Sequence, residues 1–79
     1  MKVFAIKDTV ADEFLMPFYQ KNEKSANRAF NFFLAKPENA HVANDFELYI
    51  IGSYDADSGV ITGIEPRRIT DNDVLDSDE

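Results

Sequence analysis

Three basic side chains recur at helical spacing in the first half of the chain. Lys21, Lys24 and Arg28 lie at i, i+3 and i+7, and Phe32 follows four residues after Arg28. Residues at these intervals share one face of an α-helix. Cations beside an exposed ring suit single-stranded nucleic acid, because the cations meet phosphates and the ring stacks on a base. The spacing is therefore consistent with a nucleic-acid-binding face, although an ordinary solvated helix face has the same pattern.

Two further groups of residues could extend such a site. Arg67 and Arg68 are adjacent in the C-terminal part of the chain and would lengthen the basic path. Tyr19 and Tyr49 are additional candidates for stacking on bases, with packing in the core as the alternative for both.

Enzymatic chemistry has little support in the sequence. The single histidine, His41, lies in a polar segment without a nucleophile or acid–base motif around it, and the chain has no cysteine. A structural zinc site of the usual ligand types is excluded for the same reason. We therefore expect a protein that is not an enzyme, with no catalytic residue, no metal site and no cofactor.

The negative charge is distributed unevenly along the chain. The net charge is −7, but five acidic residues and no basic residue fall within positions 70–79. Residues 1–69 carry eight basic and ten acidic groups, a balance of −2. Because the last ten residues also have little apolar content, the sequence predicts a single domain over residues 1–69 and a disordered acidic tail over residues 70–79.

The strongest periodicity predicts one amphipathic helix. Asn22 is suited to cap its N-terminus, and Pro37 is expected to end it near Ala35 or Lys36. Residues 36–44 are then predicted to be a loop. The apolar stripe follows the i, i+3, i+4, i+7, i+8 pattern and consists of Ala26, Ala29, Phe30, Phe33 and Leu34.

Alternating segments predict a small antiparallel sheet. A strand over residues 3–6 would place Phe4 and Ile6 on one face and Val3 and Ala5 on the other. Pro17 makes residues 14–19 an edge segment. Residues 46–54 and 60–64 form a hairpin around a turn at residues 55–59, whose aspartates do not match the register of a calcium loop. The predicted fold class is α+β, with this sheet packed on the helix.

The size of the chain favours self-association. With 79 residues, seven Phe, three Tyr and no disulfide, a single small core supplies limited stability. We therefore expect a homo-oligomer, a dimer or larger. The first eight residues include the charged Lys2, Lys7 and Asp8 and contain no long apolar run, so neither a signal peptide nor a membrane span is expected.

A set of positions spread over residues 3–64 forms a pattern that a known family shares. These positions are Phe4, Asp8, Phe14, Pro17, Phe18, Ala26, Arg28, Phe30, Asp45, Phe46, Leu48, Gly52, Tyr54, Asp55 and Gly59. Together they resemble the nonstructural protein of gokushovirus-type microviruses, which are small single-stranded DNA phages. The resemblance implies an early protein without enzymatic activity, located in the host cytoplasm and absent from the virion. It also implies contact with DNA or with phage or host replication proteins.

Two functions follow as hypotheses. The first is binding of single-stranded DNA, or a switch of replication toward single-stranded genomes and their packaging. The alternative is an acidic protein–protein adaptor, or a DNA-mimicking inhibitor, that docks onto a basic surface of a replication protein. The net charge favours the adaptor, whereas the confinement of much of the acid to the tail favours DNA binding.

Overall fold

The computed structural model describes residues 1–75. These residues form a curled antiparallel sheet with one long helix and several short helices, which confirms the predicted α+β class. In chain order the elements are β1 (Lys2–Asp8), β2 (Glu13–Phe14), β3 (Phe18–Gln20), α1 (Glu23–Ala35), α2 (Pro37–Ala40), a 3₁₀ turn (Ala43–Asp45), β4 (Phe46–Tyr54), β5 (Ile61–Arg68) and α3 (Asp71–Leu75).

The strand β1 is central to the sheet. One edge of β1 pairs with both β2 and β3, and its other edge pairs with β4, which in turn pairs with β5. Pro17 lies between β2 and β3, where its missing amide donor interrupts the pairing. The predicted edge segment around Pro17 is therefore confirmed.

The two faces of the sheet are set by the alternation along β1. Phe4 and Ile6 face α1, and their core cluster also contains Ala26, Leu48, Ile50 and Ile69. Val3 and Ala5 alternate with Phe4 and Ile6 and therefore lie on the opposite side. We call that opposite side, defined by Val3, Ala5 and their cross-strand neighbours, the open face.

The helix α1 begins and ends where the sequence indicates. The side chain of Asn22 accepts a hydrogen bond from the Ser25 amide at 2.9 Å, and the Ser25 hydroxyl lies 3.4 Å from the Asn22 amide, which completes a capping box. The last helical residue is Ala35. Pro37, however, occupies the first turn of α2, so the predicted loop over residues 36–44 is corrected to two short helical segments.

The C-terminal part differs from the prediction in two respects. The strand β5 continues through Pro66 to Arg68 instead of ending at Ile64, because a register shift on the free edge tolerates a proline. Within the segment predicted as a tail, α3 spans Asp71–Leu75 directly after the buried Ile69, and Val74 packs against the core. Residues 76–79 of that tail lie outside the described residues.

Candidate nucleic-acid interface

The side of α1 that faces away from the sheet carries the predicted cations. Lys24, Arg28 and Phe32 follow one another at four-residue intervals, and all three are exposed, Phe32 to 68%. Lys21 is exposed just before the helix. The buried position on α1 is Ala26, on the opposite side of the helix. We call Lys21, Lys24, Arg28 and Phe32 the helix outer face. The last three share one side of α1, whereas Lys21 precedes the N-cap Asn22.

Ion pairing separates the eight basic residues into two groups. Lys2, Lys7, Arg67 and Arg68 each make a salt bridge to a carboxylate. Within residues 1–75 the other four basic residues make none, and all of them lie on or beside α1: Lys21, Lys24, Arg28 and Lys36. The positive charge that is not neutralised by a neighbour is therefore concentrated on one side of an acidic protein.

Glu23 is the acidic residue of α1, and it does not offset this charge. It points toward the sheet, where its carboxylate accepts hydrogen bonds from Lys2 Nζ at 2.8 and 3.1 Å and lies 3.8 Å from Arg67. Burial raises the pKa of Glu23, but the hydrogen bonds from Lys2 and the backbone, with the charges of Lys2 and Arg67, bring the pKa below its ordinary value. Glu23 is thus held ionised against Lys2 and Arg67.

Arg67 and Arg68 are not brought onto the helix outer face. Their positions on β5 are successive, so their side chains leave opposite faces of the sheet. Arg67 lies on the α1 side and pairs with Glu23 and with Asp73 at 3.6 Å. Arg68 lies on the open face and pairs with Glu47 at 3.4 Å. A continuous basic path from α1 through both arginines is therefore absent from the described part of the molecule.

Tyr19 and Tyr49 lie on the open face, each beside a ring that the sequence did not indicate as a stacking residue. Phe14 packs edge-on against Tyr49 with ring centroids 5.3 Å apart, and Tyr54 lies 5.5 Å from Tyr19. The signal that could have identified Phe14 and Tyr54 is the cross-strand register, which local periodicity does not contain.

Hydrogen bonding fixes Tyr49 in place. Its hydroxyl donates to Glu47 at 3.0 Å. Burial raises the pKa of Tyr49, and the hydrogen bond to Glu47 and the charge of Glu47 raise it further. The Tyr49 ring therefore stays neutral and presents an apolar surface beside a carboxylate.

A metal site and a membrane-spanning helix each require features that the described residues lack. Side chains of His, Asp and Glu do not gather into a group of three that could hold a metal ion anywhere in residues 1–75, and His41 is exposed at the end of α2. Over the same residues, none of the helices combines the length and the apolar character that a membrane span requires.

The fold and the helix outer face define a small two-layer α+β protein in which the basic residues without salt bridges, within residues 1–75, lie on or beside one helix. A family model described as Phage ORF5 protein matches residues 1–75, and the chain belongs to that family of phage proteins. No curated protein and no solved structure matches the chain.

Proposed function

We propose that this phage protein is a nonstructural protein of the gokushovirus type that binds single-stranded DNA through the helix outer face. In this role it favours the synthesis of single-stranded genomes and their packaging in the host cytoplasm. The observation that carries the proposal is the clustering of Lys21, Lys24, Arg28 and Lys36 without salt bridges while the other basic residues are paired.

The geometry of α1 suits a flexible strand better than a duplex groove. Lys24 and Arg28 are one turn apart, about 6 Å along the helix axis, and Phe32 follows after another turn. Each cation can meet one phosphate, and the exposed ring of Phe32 can stack on an unpaired base, which a duplex does not present. The preference for single strands therefore rests on Phe32, whereas the salt dependence rests on the cations.

A matched pair of arginine variants tests the position of the site. Arg28→Gln removes one positive charge from the helix outer face, and Arg68→Gln removes one from the open face. We expect Arg28→Gln to weaken binding of a fluorescent single-stranded oligonucleotide, measured by anisotropy at low salt, and to flatten the log–log salt slope by about 0.7. Arg68→Gln should change the affinity much less.

Equal losses in the two variants would mean that the protein's overall charge, and not this face, governs binding. No binding of the wild-type protein to single-stranded DNA at low salt would refute the proposal itself.

A second pair of variants tests the role of the ring. Phe32→Ala should cost about 1–3 kcal/mol of binding free energy if Phe32 stacks on a base, and Phe32→Trp should retain most of the affinity. In a competition assay with a duplex of the same sequence, both substitutions should change the affinity for the duplex less than the affinity for the single strand. Loss of affinity in Phe32→Trp equal to that in Phe32→Ala would contradict stacking.

The adaptor function keeps one structural observation in its favour. Exposed acidic residues lie at two turns of the sheet: Asp12 between β1 and β2 with Glu13 at the start of β2, and Asp55 and Asp57 between β4 and β5. These turns could dock onto a basic replication protein. If wild-type protein fails to bind DNA but competes with DNA for such a partner, the adaptor function replaces the DNA-binding one.

A further inference from the structure

The open face collects aromatic side chains that the core does not use. All three tyrosines of the chain, Tyr19, Tyr49 and Tyr54, lie there together with Phe14. Phe14 is 41% exposed and Tyr19 is 46% exposed, although both are large rings. Ile61, 59% exposed, pairs with Tyr54 across β4 and β5 and so extends the same face onto the hairpin.

The rings form two pairs on the same face, Phe14 with Tyr49 and Tyr19 with Tyr54. Val3 lies opposite Tyr19 and Ala5 lies opposite Tyr49 in the sheet, and these small side chains are only 5% and 1% exposed. The Lys7 ammonium group stands 5.5 Å from the centroid of the Phe14 ring at one margin. The result is a preformed apolar platform, which binds a partner with little loss of side-chain entropy.

The charges around this platform indicate what kind of partner it fits. Lys7 pairs with Asp12 at 3.4 Å, and Arg68 pairs with Glu47. Each cation thus has an acid beside it, in contrast to the helix outer face. A polyanion gains little from cations that are already paired with acids. A protein surface that carries both acidic and basic groups can place its acids against these cations and its cations against these acids. A second copy of the same face has this property.

We infer that the open face is the interface of a homodimer, in which two copies pack through Phe14, Tyr19, Tyr54 and Ile61. A two-fold axis brings the same patch of both copies together and allows Lys7 and Arg68 of one copy to approach acids of the other. The cores of protein interfaces are typically enriched in tyrosine, and a polar rim surrounds them. A stable dimer of this kind buries roughly 800 Å² on each partner.

Such a dimer places the two α1 helices on its outside. The two helix outer faces then point away from each other, and each remains accessible. If the proposed DNA binding holds, one dimer can contact two segments of single-stranded DNA at once. The interface itself does not depend on that function.

Sedimentation equilibrium of the intact chain tests the interface. We expect wild-type protein to approach twice its chain mass of 9.0 kDa as the concentration rises through the micromolar range. Tyr19→Glu and Ile61→Glu each place an unpaired charge in the interface and should raise the dimer dissociation constant at least about tenfold. Phe32→Glu makes the same kind of change on the helix outer face and should leave the dimer intact.

Two variants are used so that a folding defect in one does not decide the result, and circular dichroism checks the fold of each. A wild-type monomer at all concentrations up to the millimolar range would overturn the inference. A dimer that persists in both folded open-face variants would overturn it as well.

The DNA titration distinguishes the remaining outcomes. If the wild-type protein is monomeric and the Tyr19→Glu variant no longer binds the oligonucleotide, the open face is a nucleic-acid site and the dimer is refuted. Protein that dimerises as expected but binds no DNA would refute the proposed function and leave the interface standing.

Discussion

The two faces of the sheet differ in how completely they bury their aromatic rings. On the α1 side, phenylalanines pack in a closed cluster around Phe4, which is fully buried, with Phe18, Phe30, Phe33 and Phe46 against it. On the open face, the three tyrosines and Phe14 lie side by side on the strands and remain partly exposed. The same sheet therefore has one face that stabilises the monomer and one whose outer ring surfaces stay available.

The difference in residue type follows from the difference in environment. A phenylalanine has no polar atom to satisfy and is suited to the closed cluster, whereas a tyrosine combines an apolar ring with a hydroxyl that needs a partner. The Tyr49 hydroxyl finds Glu47 at the margin of the open face. Two of the seven phenylalanines, Phe14 and Phe32, lie outside the closed cluster, and each is on a surface to which we assign a partner.

The largest expected effect comes from comparing the same substitution on the two faces. Phe4→Ala should destabilise the monomer by about 3–5 kcal/mol, because it opens a cavity in the core. Phe14→Ala should cost only about 1 kcal/mol at low protein concentration, since its ring already contacts solvent. Urea denaturation measures both. Equal losses would show that the open face is as important to the monomer as the core is.

A smaller effect is expected where the hairpin joins the sheet, at the paired glycines Gly52 and Gly63. A Cβ atom added at Gly52 would lie 2.5 Å from the Thr62 carbonyl oxygen, whereas one added at Gly63 meets nothing within 4 Å. Gly52→Ala should therefore cost about 1–3 kcal/mol as β4 and β5 separate, and Gly63→Ala should be close to neutral. Thermal unfolding of the two variants compares them directly, and a neutral Gly52→Ala would contradict the close approach.

The smallest of the three effects concerns pH and the Glu23 cluster on the α1 side. The pKa of Glu23 is lower in the folded protein than its ordinary value of 4.5, so its ionised form stabilises the fold at neutral pH. That contribution is present above pH 4.5 and is lost as the pH falls through the lower, folded-state pKa. Glu23→Gln should cost about 1 kcal/mol at pH 7 and less at acidic pH.

Glu38→Gln is the matched control for this prediction, because Glu38 is exposed and makes no salt bridge within residues 1–75. Asp55 and Asp73 also have lowered pKa values, owing first to backbone amide hydrogen bonds from Asp57 and Thr70, so some acid sensitivity should remain in Glu23→Gln. A stability difference between wild type and Glu23→Gln that is independent of pH would rule out the ion cluster as its source.

The sequence predicts the parts of this fold that depend on local pattern. The α1 boundaries follow from Asn22 and the apolar stripe, and the two faces of β1 follow from its alternation. Pro37 is a local signal with two meanings, since a proline that ends one helix is also favoured in the first turn of the next. The pattern alone did not choose between these meanings.

Features that depend on register between distant strands could not be predicted in this way. The side of the sheet reached by Arg67 or Arg68 depends on how β5 pairs with β4 beyond the register shift between Gly63 and Arg67. The meeting of Phe14 with Tyr49 likewise depends on both β2 and β4 pairing with β1. The helix outer face could be predicted because its residues lie on and just before a single helix, whereas the open face is assembled from five strands.

The prolines on the two edges of the sheet bear on how copies of this chain can aggregate. Pro17 interrupts the β2–β3 edge and Pro66 lies in β5 on the other edge, so each edge has a gap in its row of amide donors. A strand from another chain would meet that gap at either side, which opposes the edge-to-edge growth that leads to fibrils. Polymerisation through the sheet edges is thereby disfavoured, whereas two copies that pair face to face about a two-fold axis form a closed assembly.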